Sequence, residues 1–285
     1  MLSQKEGKWD YIIDSKRGWF DININEIWEF RDLLIIFIKR DFTTFYKQTV
    51  LGPLWYFLQP LITTIVFTII FNKVAKLSTN QIPPMLFYMS GVIAWNYFSN
   101  CLLQTSSTFT SNAELFSKVY FPRIIVPLSQ VISALLRFFV QLVMFFIFYV
   151  YFILSGFSIE PAYQILIFLP IMIIQMAILG KGIGMIVSSL TTKYRDLSHL
   201  VTFGTQLLMY ASPIVYPLSI VPDNYRYIIL ANPMTSVIEF FRYAVFNNGN
   251  ININMILYSL GMTIVIYFIG LLIFNKIEKN FIDTV

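Results

Sequence analysis

The chain of 285 residues is 57% hydrophobic and only 12% charged, with a formal net charge of +5, and a mean hydropathy of +0.68 excludes a soluble domain. The positive balance does not argue for nucleic acid, because Lys and Arg gather between apolar runs, where they hold membrane topology. One cysteine, Cys101, leaves no intrachain disulfide to form.

Residues 1–25 are polar with scattered aromatics (Trp9, Tyr11, Trp19, Phe20) and read as a cytoplasmic arm. Charges fill this start, so no cleavable signal peptide is expected and the first span serves as the insertion signal. Residues 26–47 follow as an amphipathic helix lying along the membrane surface. At about 100° per residue, Ile27, Phe30, Leu34, Ile35, Phe37, Ile38, Phe42 and Phe45 share one face, and Glu29, Asp32, Lys39, Arg40, Thr43 and Lys47 the other. Arg31 and Asp41 interrupt the apolar face; they either snorkel to headgroups or pair with another cytoplasmic loop. Leu51-Gly52-Pro53 ends the helix.

Six apolar stretches come next, each near the roughly 20 residues that cross a hydrocarbon core of about 30 Å. They are expected over 54–72, 85–105, 124–154, 164–190, 198–217 and 254–274, which makes residues 54–274 an all-α polytopic membrane domain with a charged tail over 275–285. Pro60 kinks the first span. The third, about 46 Å long as a helix, tilts or lays its first turns near Pro127 in the interface.

The loop SNAELFSKVYFPR (111–123) joins spans two and three. Ser111 and Glu114 have capping-box spacing, and Pro122 cannot continue a helix. One to three helical turns should therefore face the cytosol with Leu115, Phe116, Val119 and Tyr120 as knobs. Such a helix either docks on lipid or inserts into a groove on a soluble partner. Gly180-Lys181-Gly182 lacks the spacing of a phosphate loop, so any nucleotide motor belongs to another polypeptide. The glycines at 180, 182 and 184 instead let span four pack closely on a neighbour. Arg137 and Lys181 fall in cytoplasmic halves of spans, where long side chains snorkel, and no carboxylate within a span pairs with them.

Fourteen of the twenty Lys and Arg residues lie in the segments that are cytoplasmic if the N-terminus is inside, against four in the outer segments. Both termini are therefore expected inside. That parity makes 222–246 an extracytoplasmic re-entrant hairpin of two short helices, broken at Ala231-Asn232-Pro233, rather than a seventh span. Irregular backbone at that depth needs shielding, as at a pore mouth or gate. Glu239 and Arg242, three apart, can pair on one helix face. Thr202, Thr205, Met209, Ser212 and Tyr216 recur at helical spacing in span five beside Gln206, Tyr210 and Pro213; Gln59, Thr63, Thr64 and Thr68 lie in span one. Such stripes either line a path for a hydroxyl-rich substrate or are packing faces. Trp55, Tyr56, Trp95, Tyr97, Tyr210 and Tyr216 could stack on sugars. Catalysis finds no support: the one histidine, His199, starts span five, and no Cys/His cluster exists.

The runs RDLLIIFIKRDFTTFYKQTVLGPLWYFLQPL (31–61), NAELFSKVYFPRIIVPL (112–128) and YRDLSHLVTFGTQLLMYASPIVYPLSIVPDNYRYIILANPMTSVIEFFRYAVF (194–246) resemble the membrane subunit of bacterial ABC exporters for cell-surface polysaccharides. The resemblance implies a homodimer carrying two soluble ABC ATPase subunits, with ATP and Mg on those subunits and no cofactor on this chain. It makes 26–47 an interface helix, with Arg31, Arg40 and Asp41 beside the ATPase, and 111–120 a coupling helix. The residues placed in the ATPase groove are Asn112, Glu114, Leu115, Phe116, Lys118 and Tyr120. It makes 224–246 the outer gate, with Asn232, Pro233, Glu239 and Arg242. A polyprenyl-diphosphate-linked glycan would pass between two copies of spans one and five, along Tyr56, Gln59, Thr63, Thr202, Met209, Tyr210 and Tyr216. The location implied is the bacterial inner membrane. Permeases for drugs share the six-span plan; a secondary transporter or channel, and a membrane enzyme acting on a lipid-linked sugar, are the other classes weighed.

Overall fold

The computed structural model describes residues 24–47, 49–157, 159, 165–248 and 252–280. All but the last two residues of the expected arm over 1–25, the side chain of Phe45 and the last five residues of the expected tail lie outside them. No strand occurs among the described residues.

The expected surface helix is two helices, α1 (Ile24–Glu29) and α2 (Arg31–Tyr46), separated at Phe30. Phe30, Leu33, Leu34 and Phe37 turn inward at i, i+3, i+4 and i+7. Ile35, expected on that face, is exposed together with Ile36, because α2 rests on one long helix and buries only a narrow stripe. After a 3-10 turn at Gly52–Leu54, α3 (Trp55–Phe67) runs into a π-helical stretch, Thr68–Val74. Pro60 sits inside α3, and the hydroxyls of Thr63 and Thr64 donate to the carbonyls of Gln59 (3.0 Å) and Pro60 (2.7 Å).

α4 (Pro84–Ser106) starts at a proline in the position where its missing N–H costs nothing. It is the centre of the bundle, packed on α3, α7 (Ile125–Leu154), α8 (Ile165–Thr191) and α11 (Pro233–Phe246). Trp95 and Tyr97, weighed as sugar-stacking rings, are buried in this core; Tyr97 packs on Phe138 of α7 at 5.0 Å between ring centroids. α8 is held between α4 and α12 (Ile253–Asn280). Its glycines do this on opposite faces. A Cβ at Gly180 or Gly184 would meet α4, at Cys101 (2.7 Å) and Thr105 (2.5 Å) respectively. Gly182 faces Gly270 and Tyr267 of α12. Lys181 between them is 8% exposed, with its ammonium 5.8 Å from the Tyr267 ring centre. The expected snorkelling does not occur, because the glycines draw the neighbouring helices over it.

Four helical segments are long and apolar enough to cross a membrane: Gly52–Val74, Ile125–Leu154, Phe168–Thr191 and Ile253–Glu278. α4 is long enough, but Ser90, Asn96, Ser99, Asn100 and Gln104 lower its apolarity. α9 (Leu197–Ala211) has 15 residues, about 22 Å, and stops short of the expected 217. Pro213 is the cause: it pushes Ser212 into extended backbone, φ −93° and ψ 152°. α12 runs through Asn280, so the expected tail from 275 begins as helix. A short 3-10 turn and α10 (Asp223–Ala231) precede α11, and the chain breaks at Asn232 between them.

Candidate coupling and gate sites

Two polar sites occupy opposite ends of the bundle. At one end, α5 (Thr108–Ser111) and α6 (Ala113–Lys118) hang between α4 and α7. Ser111 and Glu114 do not form the expected capping box; the helix breaks at Asn112, which turns inward and donates from its side-chain amide to the Thr108 carbonyl (2.9 Å). Phe116 is not a knob. It is 6% exposed and packs on Phe109, Phe121 and the Arg123 guanidinium at 6.0, 5.6 and 5.5 Å. Phe37 of α2 meets Phe121 edge-on at 5.7 Å, and Phe274 of α12 stacks on Phe109 at 4.7 Å. Leu115 is half-buried on this aromatic base. The surface offered outward is Glu114, Lys118, Val119 and Tyr120, with Glu114 and Lys118 paired across one turn at 3.7 Å.

Arg123 and Glu278 join the base to the last helix. The Arg123 guanidinium donates to the Glu278 carbonyl (2.6 Å), and the Arg123 backbone N–H donates to the Glu278 carboxylate (3.2 Å). Burial pulls the Arg123 pKa down and the facing Glu278 carboxylate opposes that shift. On α2, Arg31 donates to the Trp28 carbonyl (3.3 Å), and Arg40 pairs with its neighbour Asp41 at 2.8 Å. Asp41 also lies within electrostatic reach of Arg137 of α7. Among the described residues, the ion pair of Asp41 is with the adjacent Arg40.

At the other end, Arg242 of α11 is 2% exposed and ties three elements together. It donates to the carbonyls of Pro213 (2.6 Å) and Ile214 (2.9 Å), to the Phe87 carbonyl (3.4 Å) and to the Ser90 hydroxyl (3.4 Å). The expected pairing with Glu239 is present at 3.2 Å, and the guanidinium lies 3.6 Å from the Phe87 ring centre. Asn232 caps α11 by accepting from the Met234 N–H (3.0 Å) and donates to the Ser212 hydroxyl (2.8 Å). Pro233 is the first residue of α11, and its carbonyl accepts from Ser259 of α12 (2.8 Å). Ser259 in turn accepts from Gln175 of α8 (2.6 Å). Sequence reasoning missed Pro213, Ile214, Ser90 and Gln175 as partners of this end; two of them contribute only backbone carbonyls.

The stripe residues separate. Tyr56 is buried between Phe42 of α2, 6.0 Å away, and Arg137 of α7, 5.8 Å away, so it does not face a path. Thr205 and Ser212 are also buried, and Met209 is half-buried against the core. Thr63 and Tyr216 are half-buried, and the Tyr216 hydroxyl donates back to the Ala211 carbonyl (3.2 Å). Gln59, Thr202, Gln206 and Tyr210 are exposed, on the outward faces of α3 and α9.

A multi-helix apolar bundle with buried polar clasps at both ends defines a polytopic membrane protein, and the described residues hold no His/Cys/Asp/Glu group able to bind a metal ion. The chain belongs to the ABC-2 type transporter family, whose profile matches residues 32–246. It is 32% identical over 255 residues to the O-antigen export system permease protein RfbA of Klebsiella pneumoniae, covering 88% of this chain and 94% of that protein. A Myxococcus xanthus protein of the same name is 24% identical over 92% of this chain and 98% of its own length. The polysialic acid transport protein KpsM of Escherichia coli is 26% identical over 84% and 91%.

Proposed function

We propose that this chain is the permease subunit of an ATP-driven exporter of cell-surface polysaccharide, working as a homodimer with two soluble ATPase subunits. The cargo is a polyprenyl-diphosphate-linked glycan moved outward across a bacterial inner membrane. Relatives named as O-antigen export permeases, aligned over nearly their whole length, support the substrate class. α3, α4, α7, α8, α9 and α12 are the six spans; in α4 Ser90 is buried, and Asn96, Ser99, Asn100 and Gln104 are half-buried. With both termini cytoplasmic, α2 and α6 face the cytosol, and α10–α11 form a re-entrant outer gate.

The observation that carries this reading is the row Glu114, Lys118, Val119 and Tyr120, presented on a packed aromatic base at the end opposite Arg242. A short helix on a rigid base can pass a push inward instead of bending. ATP held with Mg on the partner closes the ATPase pair, the base moves as a block, and α2 and α6 carry the motion into the bundle. Gln59, Thr202 and Tyr210 are the path-facing residues, and Arg242, Glu239, Asn232 and Pro233 hold the exit.

The test is purification of the tagged chain from its native membrane, with an ATPase assay on what accompanies it. The expected result is a stoichiometric soluble ATPase. Val119→Ala with Tyr120→Ala should leave the permease folded and lower ATPase capture about ten-fold, equivalent to ~1.4 kcal/mol. A chain that purifies alone under mild extraction, or a double variant that captures and exports normally, overturns the assignment.

A further inference from the structure

We infer that the cytoplasmic end of α12 is a working part of the coupling machinery, locked to the 108–123 segment by Arg123 and Glu278. This rests on the assignment of α6 as the ATPase-facing helix. Nothing in that assignment requires α12, whose Glu278 stands 155 residues from Arg123.

The lock is a reciprocal pair of hydrogen bonds. Arg123 stands two residues before α7, and its backbone N–H donates to the Glu278 carboxylate (3.2 Å). Near the described end of α12, the Glu278 carbonyl receives the Arg123 guanidinium (2.6 Å). The Glu278 carboxylate also lies near the start of α7, whose dipole it complements. The same guanidinium lies 5.5 Å from the Phe116 ring centre, so it touches the underside of α6 as well. Phe274 stacked on Phe109 at 4.7 Å makes a second, apolar tie between α12 and α5.

This geometry sends a displacement of α6 into α12 directly. From α12 it passes to α8, because Gly270 and Gly182 bring those two backbones into contact with no side chain between them. Arg123 and Glu278 are positioning residues: they touch neither nucleotide nor cargo, and they decide which helices move when α6 moves.

The experiment uses the full permease–ATPase complex with Arg123→Ala, Glu278→Ala, the double variant and Glu278→Gln. Glycan reaching the cell surface, ATPase capture and ATP turnover are all measured per unit of inserted permease. Each alanine variant should capture ATPase and turn over ATP within about two-fold of the parent, while export per ATP falls about five-fold or more. Arg123→Ala removes the donor to the Glu278 carbonyl and Glu278→Ala the acceptor of the Arg123 N–H, so the double variant loses both bonds and should fall at least as far as the worse single. Glu278→Gln keeps the acceptor oxygen and should export normally. Should an alanine variant fail to accumulate, Arg123→Lys carries the test: it keeps the charge but loses the planar fork, and export should fall with capture unchanged. Normal export by either alanine variant, normal export by the double variant, or normal export by Arg123→Lys overturns the inference. A parent chain that captures no ATPase refutes the functional assignment instead, and the two failures are told apart by that control.

Discussion

Arg242→Ala should be the most damaging single substitution at the outer end of the bundle. The side chain is 2% exposed, and its removal strands the carbonyls of Pro213 and Ile214 in the interior, while the Phe87 carbonyl keeps the Ser90 hydroxyl (2.7 Å). Each buried acceptor left without a donor costs about 1–3 kcal/mol. Part of that is returned because the guanidinium need no longer be desolvated. A net loss of about 3–5 kcal/mol follows, the range for breaking one side of a buried charged cluster. Glu239→Ala removes a partner whose side chain is 31% exposed, and the loss there should be under about 1 kcal/mol. At roughly 2–4 °C per kcal/mol for a chain of this size, the two variants should differ by about 10 °C in unfolding midpoint. The assay is thermal unfolding of the detergent-purified permease, followed by size-exclusion fluorescence. Equal midpoints for the two variants, or an Arg242→Ala midpoint within about 1 °C of the parent, would refute the reasoning, because the carbonyls would then have found other donors.

Two further substitutions test the packing. Gly180→Ala and Gly184→Ala should destabilise the bundle although alanine favours a helix by about 1 kcal/mol, since the added Cβ meets backbone at Phe98 (2.8 Å) and Leu102 (2.8 Å). Gly204→Ala and Gly261→Ala, where a Cβ meets nothing within 4 Å, should be neutral or stabilising in the same melting assay; a reversed order would show that α8 does not pack on α4 as described. Lys181→Met should leave stability unchanged or raise it by about 1–4 kcal/mol, because a buried ammonium resting on the Tyr267 ring gives way to an apolar chain of similar length; a marked loss of midpoint would assign the ammonium a structural partner.

What the sequence announces is the backbone plan. Pro53, Pro122 and Asn232-Pro233 punctuate the helices where the chain turns, and the glycines of α8 mark close approach, because these residues act locally. What it conceals is depth and direction. α4 reads as the least apolar of the long helices and is the most enclosed; several of its polar side chains bond to their own backbone, as Ser90 does at the Phe87 carbonyl (2.7 Å) and Asn100 at the Asn96 carbonyl (2.6 Å). Phe116 and Tyr56 look like surface groups of a loop and of a path, and both are buried: Phe116 on Phe109 and Phe121 of its own connection, Tyr56 between Phe42 and Arg137 of other helices. Glu239 as the partner of Arg242 is legible at three residues' spacing; the carbonyls of Pro213 and Ile214 are not, because a backbone acceptor leaves no mark in side-chain identity. The end of α9 at Ala211 is legible in Pro213, although the apolar run itself continues to 217.

The aromatic base beneath α6 draws Phe37 from the first described tenth of the chain and Phe274 from near its end. Helices enter a membrane in the order they are synthesised, so this cluster stays unfinished until the last span has been made and packed. A chain stalled after α11 would have α2 and α6 in place but would lack the ring that stacks on Phe109. On the proposed role of α6, the surface offered to a soluble ATPase is therefore also a mark of completed biosynthesis, and an immature permease has no finished platform for that partner.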